Sequence, residues 1–108
     1  MNEDEITVDA LGQLRAERRD VIVLDVRTAE EFAAGHVAGA RHVPGAHLLG
    51  PVDPLRRADL VVTTCGKGGG RSAEAAARLR ALGVRARSLA GGTSAWLAAN
   101  IPTERTDP

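Results

Sequence analysis

Two runs of the chain, Val21-Ile-Val-Leu-Asp-Val26 and Leu60-Val-Val-Thr-Thr-Cys65, are almost unbroken in apolar and β-branched residues. A half-exposed strand alternates apolar with polar residues, so runs without alternation predict strands covered on both faces, as in a parallel sheet. Ala86-Arg-Ser-Leu-Ala90 is a weaker third strand, and Arg41-His-Val43 before Pro44 is a possible fourth.

Parallel neighbours need crossover connections, and helical signals fall where these are required. Thr28-Ala-Glu-Glu31 has the spacing of a capping box, with Gly35 closing a short helix. Ser72 is expected to open another helix with Glu74 in its first turn, an Ala75, Ala76, Leu79, Leu82 stripe and a stop at Gly83. Thr7 to Arg18 and Thr93 to Asn100 read as two more, while Gly45 to Pro54 reads as a surface loop. Strands alternating with helices define an α/β layer fold with a mostly parallel sheet. At 108 residues the chain is expected to form a single domain, 1–108, with a core over about residues 6–100. A chain of this size buries roughly two-thirds of its surface, enough for a core without staples.

Composition narrows the function. Fourteen basic residues balance fourteen acidic ones, and aromatic residues make up 2%, so neither the charge nor the stacking platform of a nucleic-acid binder is present. The acidic start Met1-Asn2-Glu3-Asp4-Glu5 is unlike a secretory signal, and no apolar run is long enough to span a bilayer. The expectation is a cytoplasmic protein. The single cysteine excludes an intrachain disulfide and a multi-cysteine zinc site.

That cysteine lies in the most informative stretch, Cys65-Gly66-Lys67-Gly68-Gly69-Gly70-Arg71-Ser72. A buried strand delivers Cys65 to the carboxyl edge of the sheet, where open α/β folds bind ligands. Four glycines leave the interior of the turn open and can aim successive amides inward as an anion nest. These amides, the start of the following helix, Lys67 and Arg71 are all expected to lower the thiol pKa. The same field suits an oxyanion, with Arg71 fit for bidentate contact and Lys67 acting as a mobile point charge. The plain alternative is a small buried hydrophobe at a strand end, but that role requires neither the glycines nor the chain's only lysine.

Other chemistries fit poorly. Gly66-Lys67 is followed by glycine rather than Ser or Thr, so a nucleotide phosphate loop is missing, and no G-x-G-x-x-G occurs. His36, His42 and His47 have no metal-ligand spacing, and no metal is expected.

Taken in order, Leu24-Asp25-Val26-Arg27, Glu31-Phe32, Gly35-His36-Val37, Gly39-Ala40, Val43-Pro44, the Cys65 loop through Arg71-Ser72, Leu89-Ala-Gly-Gly92 and Ala95-Trp96 closely resemble the rhodanese family. The resemblance runs from about Ile6 to Trp96. It implies a mostly parallel central sheet flanked by helices on both faces and a sulfurtransferase activity. By resemblance, Cys65 takes the outer sulfur of thiosulfate or a persulfide donor, holds it as a persulfide and passes it to cyanide or a thiol. Gly66, Lys67, Gly68, Gly69, Gly70 and Arg71 would bind the donor, with Asp25, Arg27 and Ser72 in support. No cofactor is implied, the partners being a small-molecule donor and acceptor. No protein partner is identified.

One departure keeps alternatives open. Rhodanese loops usually place any arginine at the fifth position after the cysteine, whereas Arg71 is the sixth. Cys-x5-Arg resembles the rhodanese-fold phosphatases and arsenate reductases, although Thr64 stands where those phosphatases commonly carry histidine. A non-catalytic rhodanese module that only binds a partner is a third reading, and it requires neither Cys65 nor Arg71. Arg27 and Glu31 are expected to pair across a helical turn, His36 to bond backbone, and Trp96 to lie in the core.

Overall fold

The computed structural model describes residues 4–43, 52–99 and 103–104. The chain runs β1 (Glu5–Ile6), α1 (Val8–Ala16), β2 (Val21–Asp25), α2 (Ala29–Ala34), β3 (His36–Val37), β4 (Arg41–His42), α3 (Asp53–Arg56), β5 (Leu60–Thr64), α4 (Gly70–Ala81), β6 (Ala86–Leu89), α5 (Gly92–Ala98) and β7 (Thr103–Glu104). Five strands form one sheet in the order β1-β6-β5-β2-β4, with every pairing parallel. A separate antiparallel ribbon joins β3 to β7.

Within β2 and β5 successive residues point to opposite faces, and both faces are covered. Val23 and Val62 pack with Leu11 of α1 and Trp96 of α5, whereas Leu24 and Val61 pack with Ala76 and Leu79 of α4 and Leu55 of α3. Helices therefore flank the sheet on both sides, which explains why neither strand alternates in sequence.

The local signals act largely as expected. Thr28 accepts from the Glu31 amide while the Glu31 carboxylate accepts from the Thr28 amide, completing the capping box. After α4, Gly83 takes a φ of 85°, and the amides of Gly83 and Val84 donate to the carbonyls of Arg80 and Leu79. That pairing closes the helix in a Schellman turn, which favours glycine at the left-handed position.

Several boundaries differ. Each of the four expected strands ends one residue earlier, at Asp25, His42, Thr64 and Leu89, although the amides of Val26, Val43 and Ala90 just beyond still donate to the neighbouring strand. The first helix occupies Val8–Ala16 rather than extending to Arg18, whose φ of 58° lies outside helical space. The helix expected from Thr93 starts at Gly92 and ends at Ala98, with Asn100 outside the described residues. The expected Gly45–Pro54 loop falls mostly outside them, and its last two residues, Asp53 and Pro54, open α3 with proline in the first turn.

Candidate active site

Register brings the two informative strand ends together. Asp25 stands level with Thr64 across the β2–β5 pair, and the amide of Val26 donates to the Thr64 carbonyl. The chain leaves β2 toward β4 on one side and β5 toward β6 on the other, so the crevice between them is a topological switch point. Cys65 and Arg27 both emerge at this edge.

Cys65 is buried, at 4% exposure. Its Sγ lies 3.2 Å from Ser72 Oγ and 3.4 Å from the Gly69 carbonyl, to which the Ser72 hydroxyl donates at 2.9 Å. Burial pushes the thiol pKa up, but the Ser72 hydroxyl and the amides of Ser72, Gly68 and Lys67 outweigh it and hold the thiol below its ordinary value. The lowering comes from hydrogen bonds to sulfur, among which the loop amides were expected from sequence and the Ser72 hydroxyl was not. Lys67 contributes through its backbone while its side chain is exposed.

Helix α4 begins at Gly70 with Gly69 as its cap, not at Ser72. Gly68, Gly69 and Gly70 all have positive φ, which winds the chain tightly enough for the helix to start two residues early. Ser72 consequently sits inside the first turn with its hydroxyl directed at the sulfur, a different role from the helix-opening one expected of it. Thr63 supports this turn by donating to the Ser72 carbonyl at 2.6 Å.

The opposite wall of the loop comes from α5, which sequence reasoning did not connect to it. The amides of Thr93 and Ser94, unpaired within their own helix, donate to the carbonyls of Cys65 and Gly66 at 2.8 and 2.9 Å. Buried Thr64 and Thr93 bond through their hydroxyls at 3.0 Å. Gly92 and, facing it, Gly68 allow this approach because a side chain on either would strike the other's backbone, while Gly91 must stay bare to clear Ala95 of its own helix. The double glycine was the available signal, since a Gly-Gly pair before a helix marks close backbone contact as well as a turn.

The charged residues are partnered differently from expectation. Arg27 does not pair with Glu31. It holds fully buried Asp25 through three guanidinium contacts of 2.8–3.1 Å, and it also donates to the Gly35 carbonyl at 2.7 Å. This pair staples the end of β2 to the end of α2. Glu31 instead faces Arg71, with Oε1 3.5 Å from Nη1. The Thr28 amide, helped by the Thr28 hydroxyl and Arg71, holds the Glu31 carboxyl below the usual carboxylate range.

His36 bonds backbone, as expected. Its Nδ1 lies 2.7 Å from the Phe32 carbonyl and must carry the proton, because a carbonyl only accepts. Its ring stacks on Phe32 at 3.7 Å. His42 Nε2 lies 2.8 Å from the Arg27 carbonyl. Trp96 is buried in the core beneath Arg15. His47 lies outside the described residues, among which no cluster of His, Cys, Asp and Glu could hold a metal ion. No helix among them is long and apolar enough to cross a membrane.

A cysteine at a strand end, ringed by loop amides and braced by two helix starts, is the arrangement expected of the rhodanese resemblance, and comparison with known proteins agrees. The sequence matches the Rhodanese-like domain family over residues 7–99. It is 34% identical over 105 residues to a sulfurtransferase of Allochromatium vinosum, covering 92% of each chain. It is 36% identical over 94 residues to a chloroplastic thiosulfate sulfurtransferase of Arabidopsis thaliana, covering 75% of this chain and 78% of the other. The crystal structure of a thiosulfate sulfurtransferase from Pseudomonas aeruginosa matches with a TM-score of 0.82 and 34% identity over 95% of this chain, which spans 19% of that longer one. The chain belongs to the rhodanese family.

Proposed function

We propose that this chain is a sulfurtransferase acting as one domain in the cytoplasm. It moves sulfane sulfur from thiosulfate or a persulfide donor to cyanide or a thiol through a persulfide on Cys65. The observation that carries this reading is the set of hydrogen bonds converging on one buried sulfur, which favours the thiolate without a separate base. The Cys65 thiolate attacks the outer sulfur of thiosulfate. A sulfur–sulfur bond forms to Cys65 while the donor's own breaks, its electron pair leaving with sulfite. Cyanide or a thiolate then attacks the outer sulfur of the persulfide, and the Cys65 thiolate is the leaving group.

In this reading the amides of the Gly66–Gly70 turn hold the terminal sulfur, and Lys67 and Arg71 receive the sulfonate end of the donor. Ser72 stabilises the thiolate, and the Asp25–Arg27 pair fixes the strand end beside it. No cofactor takes part.

The Cys-x5-Arg spacing favours a second reading, hydrolysis of a phosphate ester or reduction of arsenate. Two features weigh against it. The Gly69 carbonyl turns an acceptor toward the sulfur, where an oxyanion enclosed by the loop needs donors, and Thr64 stands where those phosphatases commonly carry histidine.

Incubation with thiosulfate followed by intact-mass measurement tests the proposal. One added sulfur on the wild type and none on the Cys65→Ser variant is the expected result. No added sulfur, together with turnover of aryl phosphate or arsenate above the serine variant, would establish the second reading instead.

A further inference from the structure

The arginine of the cysteine loop shares its charge with Glu31, a residue of another helix. The Glu31 carboxylate has two partners, Oε1 accepting from the Thr28 amide at 3.0 Å and facing Arg71 Nη1 at 3.5 Å, and its Oε2 lies on the side of Gly66, the residue next to Cys65. A Cβ on Gly66 would stand 4.0 Å from that oxygen. The carboxylate is thus an anion at the rim of the site, 39% exposed and anchored by a backbone amide.

Resting on the sulfur-transfer reading above, we propose that Glu31 determines donor specificity, opposing dianionic donors and favouring those with less negative charge. An incoming thiosulfate must compete with Glu31 for Arg71 and approach a fixed negative charge beside Gly66. A donor bearing the same outer sulfur on a single charge meets about half the repulsion, because Coulomb energy scales with the product of the charges. Lys67, exposed and on the loop itself, attracts the donor alongside Arg71. Glu31 acts here on donor choice and has no part in breaking or forming the sulfur bonds.

The capping box makes a clean test possible, because glutamine at the third helical position serves it as glutamate does. Glu31→Gln therefore removes the charge and keeps the bond to the Thr28 amide, and circular dichroism should show an unchanged helix content. The measurement is the rate of sulfur addition to Cys65, by intact mass, from thiosulfate and from an aryl thiosulfonate, which carries the outer sulfur on one negative charge. Glu31→Gln should raise the thiosulfate rate constant about tenfold and the thiosulfonate rate constant only about threefold, and the gap should narrow in high salt as screening weakens both effects. An unchanged donor ratio, or an equal loss with both donors, would show Glu31 to be only a helix cap and overturn the proposal. If the wild type accepts sulfur from neither donor, the sulfur-transfer reading fails and this inference falls with it. Addition to the wild type with no shift of ratio in the variant overturns the specificity role alone.

Discussion

Gly92 meets the cysteine loop backbone to backbone: a Cβ placed on it would stand 2.6 Å from the Gly68 amide nitrogen and 2.5 Å from the Cys65 carbonyl oxygen. Neither neighbour is the end of a flexible side chain, so neither can yield cheaply. The contact makes the position of Cys65 depend on a residue beyond the next strand in sequence.

Gly92→Ala should therefore damage the site more than the sheet. Its φ of 61° already disfavours a side chain, and overpacking in a closed contact costs about 1–3 kcal/mol. Thermal denaturation should register that loss, and sulfur addition to Cys65 should slow by more than tenfold as the amides shift. A variant of wild-type stability and rate would mean that the loop relaxes freely away from α5.

Ser72→Ala should raise the pH at which Cys65 becomes reactive. The hydroxyl has one proton and two acceptors in reach, the Gly69 carbonyl and the sulfur. Ionisation of the thiol draws the proton to sulfur. A hydrogen bond to a charged group is worth about 1.5–3 kcal/mol, so the pH midpoint for alkylation by iodoacetamide should move clearly upward in Ser72→Ala. The sign for stability follows from a folded-state pKa below the ordinary value of 9.0. The thiolate's contribution is fully present above that ordinary value and is lost as pH falls through the depressed folded one. Across this window the wild type should gain stability over Cys65→Ser with rising pH, and Ser72→Ala should gain less. Coincident alkylation profiles for wild type and Ser72→Ala would refute the role.

Asp25→Asn should destabilise the whole domain. Removing the charge leaves the buried Arg27 guanidinium facing an amide that can donate as well as accept, and breaking a buried pair typically costs about 3–5 kcal/mol. Urea denaturation should show a loss in this range. A loss below about 1 kcal/mol would indicate that the bond from Arg27 to the Gly35 carbonyl is sufficient by itself.

Lys67→Ala should affect donors according to charge. The side chain is exposed, and its backbone amide, which serves the sulfur, is retained. Sulfur addition from thiosulfate should slow about tenfold and from an aryl thiosulfonate clearly less, with the thiol's alkylation profile unchanged. Equal losses would assign the lysine some task other than attracting the donor.

Strands β2 and β5 were legible because two covered faces demand uninterrupted apolar residues, and α2 because Thr28 and Glu31 state their pairing in four consecutive letters. The two-residue strands β1, β3 and β7 were not, since two residues cannot display a period. Helix α4 was placed two residues late because its cap is Gly69, which has no side chain to announce a start. Cys65 was legible as the centre of the site from the glycines that follow it. The Arg71–Glu31 and Arg27–Asp25 partnerships were not decidable from spacing, because register between β2 and β5 and the docking of α2 determine which charges face each other.

The pairing of β1 with β6 has a consequence for how the chain folds. Glu5 and Ile6 lie beside Ser88 and Leu89, so one edge of the sheet is made from opposite ends of the sequence. Loop closure must be met before such a contact gives any return. The unit β5–α4–β6–α5, by contrast, is contiguous, and it contains Cys65 together with the α4 turn and the Thr93 and Ser94 amides that brace it. During synthesis Glu5 and Ile6 must wait for Ser88 and Leu89, while the thiol and its cradle are made close together in time. The β1–β6 contact therefore cannot form until β6 has been made, when β5 and α4 are already on the chain.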